Sequence, residues 1–315
     1  MKLAFITDPL ASLKIAKDST YAMMREAARR GHELYALEQE DLVWRDNTVS
    51  APARRLHLDT NSPNWYRLEA AADLALKDYD AVLMRKDPPF NMEYVYSTYL
   101  LELAQQQGAR VYNDPSAVRD CNEKLTIARF PQYTAPTMVA CNAAAFHQFL
   151  ESHHDIILKP LDGMGGSSVF RLRRDDPNLN VIIETVTDFG RRTTMAQRYI
   201  PEVVDGDKRI LLIAGKPVPY ALARIPKPGE TRANLAAGGT GVARPLTARD
   251  REIAETLAPQ LHALGLFLVG LDVIGDYLTE VNVTSPTCFQ EITAQTGFDV
   301  AAMMLDELEH ALKKR

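Results

Sequence analysis

Up to about residue 120 this chain alternates strands with helices, and from about residue 124 strands follow one another across tight turns. That change of order limits the fold more than any single motif. Alternation builds a parallel sheet, whereas strand-after-strand order builds antiparallel ones. In the first part, "KLAFITD" reads as a strand and "KDSTYAMMREAARRGHEL" as a helix, capped by Asp18 or Ser19 and stopped at Gly31. "HELYALE" closes a β-α-β unit, and segment 42–60 reads as a hairpin excursion around Asp46-Asn47. "YDAVLMRKDPPF" is a strand ending at Arg85-Lys86, "EYVYSTYLLELAQQQG" a helix closed by Gly108, and "ARVYN" a fourth strand. Residues 1–122 are therefore expected to form a Rossmann-like parallel α/β domain. In such sheets functional groups gather at the strand C-terminal ends, where Asp8, Arg85 and Lys86 fall. Residues 123–315 should form an α+β region with antiparallel sheets, carrying helices at 142–152, 177–186 and 247–263.

Bulk properties exclude several classes. With 315 residues, 46% hydrophobic and 24% charged, the chain can bury a sizeable core. A net charge of −5 gives no reason to expect a nucleic-acid or membrane partner. Asp8 and Pro9 interrupt the first apolar run too early for a signal peptide. Cys121, Cys141 and Cys288 show neither CxxC nor metal-ligand spacing, which points to a reducing, cytoplasmic setting.

"ILKPLDGMGGSSVF" carries the glycine-rich loop Gly163-Met164-Gly165-Gly166-Ser167-Ser168. No lysine follows the glycines, so it is not a Walker A loop. Val169-Phe170-Arg171-Leu172 alternates like a strand, so the loop lacks the helix that a dinucleotide fingerprint requires. A glycine loop between antiparallel strands can cradle phosphates with its backbone N–H groups, with Lys159 supplying charge, or can be an ordinary turn.

In "GLDVIGDYLTEVNVTSPT", Glu280 and Asn282 share one face, being two residues apart. Asp272 joins them only if an odd-numbered loop connects the strands, because a two-residue Gly275-Asp276 turn would pair 272 with 279. An Asp, a Glu and an Asn carbonyl together suit Mg²⁺, and the competing reading is a solvated sheet face. In "DGDKRILLIAGKPVPYALAR", a two-residue turn near Gly215 puts Asp207, Arg209 and Arg224 on a common face, as an ion-pair network or an anion clamp. The Gly/Pro-rich stretch 226–241 has the composition of a connector or a lid. Cys121 and Cys288 read as packing, and the Met and aromatic residues of helix 93–107 as core or an oligomer face.

Together "LMRKDPPF", "RDCNEKL", "ILKPLDGMGGSSVFR", "DGDKR", "GETRANLAAGGTG" and "TEVNVTSPT" resemble the prokaryotic-type glutathione synthetases of the ATP-grasp superfamily, nearly end to end. The weakest correspondence is 42–78. The resemblance implies an ATP-grasp fold of two antiparallel-sheet subdomains, a central lid at about 123–200 and a catalytic one at about 201–315. It implies that Lys124 and Lys159 contact ATP phosphates under Gly163, Gly165, Gly166, Ser167 and Ser168. Gln197, Tyr199 and Ile200 would form the adenine hinge, with Asp207 also at the nucleotide. Asp272, Glu280 and Asn282 would hold Mg²⁺, with Mn²⁺ as a substitute. Arg209, Arg224, Arg232 and Asn234 would stabilise the reacting groups, and Arg85, Asn282, Ser285 and Thr287 would grip the substrate.

The implied reaction phosphorylates the cysteinyl carboxylate of γ-L-glutamyl-L-cysteine with ATP. Glycine's amine then attacks the acyl phosphate. Such chemistry needs positioning and charge neutralisation and no protein nucleophile. The resemblance also implies a homotetramer. Two alternatives stay open: a ligase of the same fold for another acid and amine, and a non-catalytic ATP-binding regulatory module.

Overall fold

Four short apolar strands build the parallel heart of the first sheet. β1 (Lys2–Ile6) leads through α1 (Ser19–Arg29) to β2 (Glu33–Leu37). Asp18 is the N-cap of α1, its carboxylate accepting from Tyr21 N at 2.7 Å, and Gly31 (φ +77°) turns the chain out of the helix. The structure, a computed structural model, describes residues 1–315 except 60, 61, 63, 228, 231, 232, 234, 236, 237 and 315.

The excursion after β2 is larger than the expected hairpin. β3 (Val43–Arg45) and β4 (Thr48–Leu58) do turn at Asp46 and Asn47, both at positive φ, but β5 (Tyr66–Leu68) and β6 (Ala72–Ala75) also pair with β4. β7 (Ala81–Met84), α2 (Met92–Gln106), β8 (Val111–Tyr112) and α3 (Pro115–Asp120) follow. The sheet order is β3-β4-β2-β1-β7-β8, parallel from β2 to β8 and antiparallel where β4 joins. It is thus a mixed sheet with the expected parallel core. On α2, Tyr94 and Leu101 are core, whereas Met92, Tyr96, Tyr99 and Leu103 are exposed. Cys121 is buried at the C-terminal cap of α3, in line with a packing role.

The second sheet contains β9 (Thr137–Ala140), β10 (Asp155–Pro160), β11 (Phe170–Arg173) and β12 (Thr194–Arg198), ordered β11-β10-β12-β9 and antiparallel throughout. α4 (Ala143–His153) and α5 (Leu179–Val186) cover it, and Phe146, Leu150, Ile156, Leu158 and Ile183 lie in a hydrophobic core of its own. The third sheet contains β13 (Asp207–Ile213), β14 (Lys216–Ile225), β15 (Thr240–Pro245), β16 (Leu268–Ile274) and β17 (Tyr277–Asn282), ordered β15-β14-β13-β16-β17. α6 (Ala248–Ala263), α7 (Phe289–Thr296) and α8 (Val300–Lys313) pack around it. Among the described residues, no helix is long and apolar enough to cross a membrane.

The first and third sheets share one core, in which Val82, Met84 and Val111 are clustered with Val269, Leu271 and Val283. Asn113, at the end of β8, locks them together. Its amide nitrogen donates to Leu268 O and Val283 O at 2.8 Å, and its oxygen accepts from Phe267 N and Leu268 N at 2.7 Å. All four hydrogen-bonding positions of the side chain are used. Because each orphaned buried polar group costs about 1–3 kcal/mol, Asn113→Ala should lower unfolding stability by about 3 kcal/mol or more in a urea titration. A loss below about 1 kcal/mol would mean that water replaces the side chain.

Candidate functional site

Where β13, β16 and β17 meet the second sheet, a cleft of about 320 Å³ opens. Its floor is set by a register that the sequence reading missed. β16 and β17 are joined by the two-residue Gly275-Asp276 turn, which pairs Ile274 with Tyr277 and Val273 with Leu278. Without an irregularity Asp272 would then face Thr279. A β-bulge supplies the missing residue, and Asp272 pairs with Glu280 and Gly270 with Asn282. The expected odd-numbered loop is therefore wrong, while the pairing it was meant to produce is present. Thr279 is the extra residue; its hydroxyl donates to Asp272 O at 3.1 Å, and its carbonyl accepts from Lys159 Nζ at 3.4 Å.

β13 and β14 turn at Ala214-Gly215, both at positive φ. Asp207 pairs directly with Arg224, and Arg209 lies on the same face of β13. Arg209 Nε donates to Asp272 Oδ1 at 2.5 Å and its Nη2 to Oδ2 at 3.1 Å. Arg224 Nη2 reaches Asp207 Oδ2 at 2.5 Å and Asp272 Oδ2 at 2.9 Å. Burial by itself would raise the pKa of Asp272, but the two guanidiniums hold its carboxyl well below the usual range. Burial pushes the Asp207 carboxyl up against the pull of Arg224, and Asp207 Oδ1 is buried with no partner among the described residues.

Lys159, at the end of β10, and Lys124, ahead of a short 3-10 helix, are both buried. They share Glu280 through long contacts of 3.5 and 3.7 Å. Burial pushes the Lys159 ammonium below its ordinary value, and Lys124 adds to this while Glu280 opposes it. Two buried ammonium groups around one carboxylate favour a polyanion. Lys124 Nζ also donates to Gly163 O, at the base of the glycine loop.

That loop joins β10 to β11 as expected, and Gly165, Gly166 and Ser168 have positive φ. Gly163, Gly165, Gly166 and Ser167 line the cleft, and Ser168 does not. Gln197, Tyr199 and Ile200 line it from β12 and the segment beyond. Gln197 Nε2 donates to Thr137 Oγ1 at 3.0 Å. Arg171 stacks over the Tyr199 ring at 3.5 Å while Asp155 grips its guanidinium.

Asn282, Ser285 and Thr287 form another wall. Arg85 stands behind it and is held by neighbours: Nε donates to Thr20 Oγ1 at 3.1 Å and Nη2 to Pro286 O at 2.8 Å, and its own carbonyl accepts from Ser285 Oγ at 3.2 Å. It shapes the wall and is not among the residues lining the cleft. Arg232 and Asn234 lie outside the described residues, although their neighbours Ala233 and Leu235 line the cleft. Glu123 and Arg198 also line it and were not among the candidates read from sequence. Glu123 sits between Asn122 and Lys124 in a motif already singled out, but nothing in the sequence shows where its side chain points.

These features define a class of protein, the ATP-grasp ligases. The chain resembles D-cycloserine synthetase DcsG with a TM-score of 0.69 and 18% identity, covering 99% of this chain and 100% of that one. ATP-grasp ligase PsnB, complexed with precursor peptide PsnA2 and AMPPNP, matches with a TM-score of 0.64 and 15% identity, covering 100% of this chain and 98% of that one. At these identities the likeness concerns the fold alone. Two family models are more specific: "Prokaryotic glutathione synthetase, N-terminal domain" matches residues 1–119, and "Prokaryotic glutathione synthetase, ATP-grasp domain" matches residues 123–297. The chain belongs to the prokaryotic glutathione synthetase family. Similar relatives include glutathione synthetases of Nitrosomonas europaea, 61% identical with 100% of this chain and 99% of the relative covered, and of Ralstonia nicotianae, 59% identical with 100% and 97% covered.

The arginine network gives a prediction. Removing one partner of a buried charge cluster costs about 3–5 kcal/mol, so Asp272→Asn should destabilise the fold by that order. Because the folded pKa lies below the unfolded value of 3.8, the stabilisation is present above that pH and is lost as pH falls through the folded pKa. The difference between wild type and Asp272→Asn in urea melts should therefore shrink as the pH is lowered from 7 into the acid range. A difference independent of pH would contradict this account.

Proposed function

We infer that the chain joins γ-L-glutamyl-L-cysteine to glycine, converting ATP to ADP and phosphate, and forms glutathione through an acyl phosphate. One observation carries this reading: relatives named glutathione synthetase are about 60% identical over essentially the whole chain. The cleft is consistent with it. A carboxylate does not react with an amine at neutral pH, so the cysteinyl carboxylate must first take the γ-phosphoryl group. Lys124 and Lys159 then serve to neutralise the phosphates, with the loop 163–168 folded over them. Gln197, Tyr199 and Ile200 would receive the base, with Asp207 also on the nucleotide side. Arg209 and Arg224, fixed by Asp272, would offer their remaining N–H donors to the charge that develops on the acyl phosphate. Arg232 and Asn234 remain candidates for the same task. Ser285 and Thr287 would hold the dipeptide, and Arg85 would set the shape of that wall.

The donor set also fits a hard cation. Asp272, Glu280 and Asn282 sit on one face as an all-oxygen group, and Glu280 is freer than Asp272, since arginines occupy both oxygens of Asp272. Mg²⁺, or Mn²⁺ in its place, would supply further neutralisation of the phosphate charge when bound. We place the protein in the cytoplasm, where its three free cysteines stay reduced. We also propose a homotetramer, to be read by sedimentation velocity.

ADP release should be Mg²⁺- and glycine-dependent, with stoichiometric glutathione seen by mass spectrometry. Lys159→Met should lower the rate by roughly 100-fold or more, the usual cost of losing one charge-stabilising donor. ADP without glutathione would point to another acid and amine, and ATP binding without turnover to a regulatory module. Shortening 226–241, whose Ala233 and Leu235 reach the cleft, should raise ADP release without glycine relative to glutathione formed. Normal ligation by the shortened variant would rule out a lid there.

A further inference from the structure

Five carboxylates line the cleft: Asp87, Glu123, Asp207, Asp272 and Glu280. Asp207 and Asp272 are ion-paired to arginine, and Glu280 faces two lysines. Asp87 is exposed and can be satisfied by water. Glu123 differs from all of these. It is partly buried, and among the described residues no Lys, Arg or His comes within ion-pair distance of it. Its Oε1 accepts from Thr284 Oγ1 at 2.8 Å, Val283 N at 3.3 Å and Thr284 N at 3.4 Å. No donor among the described residues reaches Oε2. A half-buried carboxylate that lines the cleft with one oxygen left without a protein donor is suited to hold a cation there.

On the basis of the function inferred above, we propose that Glu123 binds the ammonium group of the acceptor amino acid, glycine. Both substrates bring an ammonium group to the cleft, and position decides between them. The Glu123 main-chain carbonyl accepts from Val281 N at 2.8 Å, which sets the residue beside Glu280 at the phosphate end. Lys124 follows it in sequence, and Ser285 is next to its partner Thr284. The acceptor nitrogen must reach the activated carboxyl at that end. The γ-glutamyl ammonium lies many bonds further along the dipeptide. Carboxylate–ammonium contacts are charge-assisted and short, so Oε2 would orient the acceptor as well as attract it. Burial pushes the Glu123 carboxyl above its ordinary range, and a bound ammonium would pull it back.

The test is a set of KM and kcat values for glycine, γ-glutamylcysteine and ATP in wild type, Glu123→Gln and Glu123→Asp. Glutamine keeps the shape and an oxygen to accept from Thr284 but loses the charge. Glu123→Gln should raise the glycine KM at least tenfold and leave the other two within twofold, with a smaller rise in Glu123→Asp. An unchanged glycine KM in Glu123→Gln would reduce Glu123 to a hydrogen-bond acceptor and overturn the proposal. A rise in the γ-glutamylcysteine KM alone would overturn it in favour of the dipeptide ammonium. If the variants do not fold, wild type decides: methylamine should compete with glycine more strongly than acetate, and the reverse order overturns the assignment. Wild type without glycine-dependent glutathione formation would remove the functional inference itself, and the glycine assignment with it.

Discussion

Two guanidiniums closing on one buried carboxylate hold the floor of the cleft in place. Asp272 has almost no contact with solvent, and neither do Arg209 and Arg224. None of the three could be buried alone, because an unpaired charge in that environment costs several kcal/mol. Their mutual satisfaction requires β13, β14 and β16 to lie in one register. Both arginines also line the cleft.

The bulge at Thr279 extends that arrangement to β17. By inserting one residue it puts Glu280 opposite Asp272 and turns its own carbonyl to Lys159. The lysines and the arginines therefore converge on a floor made of two adjacent strands. Asn113 sets this floor against the parallel sheet with four hydrogen bonds. The second sheet brings the glycine loop and the Gln197–Ile200 segment from the other side, on a hydrophobic core of its own.

Local chemistry was legible residue by residue. Asp18 caps α1, Gly31 ends it, and Asp46-Asn47 and Ala214-Gly215 turn hairpins. Lys124, Lys159, Asp207, Arg209, Arg224, Asp272, Glu280 and Asn282 were all picked out and all line one cleft. β5 and β6 were not foreseen, because their short segments are held by pairing with β4, a long-range contact that leaves little local pattern. Glu123 was not picked out, because its partners, Val283 and Thr284, lie some 160 positions away in sequence.

By itself, then, the sequence determined where most strands, helices and turns fall, β5 and β6 excepted, and it carried the motifs of the family. Caps, turn glycines and apolar periodicity act over a few residues, so they can be read without the rest of the chain. The tertiary structure alone decided the bulge that aligns Asp272 with Glu280, the placing of Arg85 behind the cleft wall, and the Glu123 oxygen that no donor among the described residues reaches. Each depends on which distant group completes a buried hydrogen bond or charge, and that is fixed only when the sheets have packed.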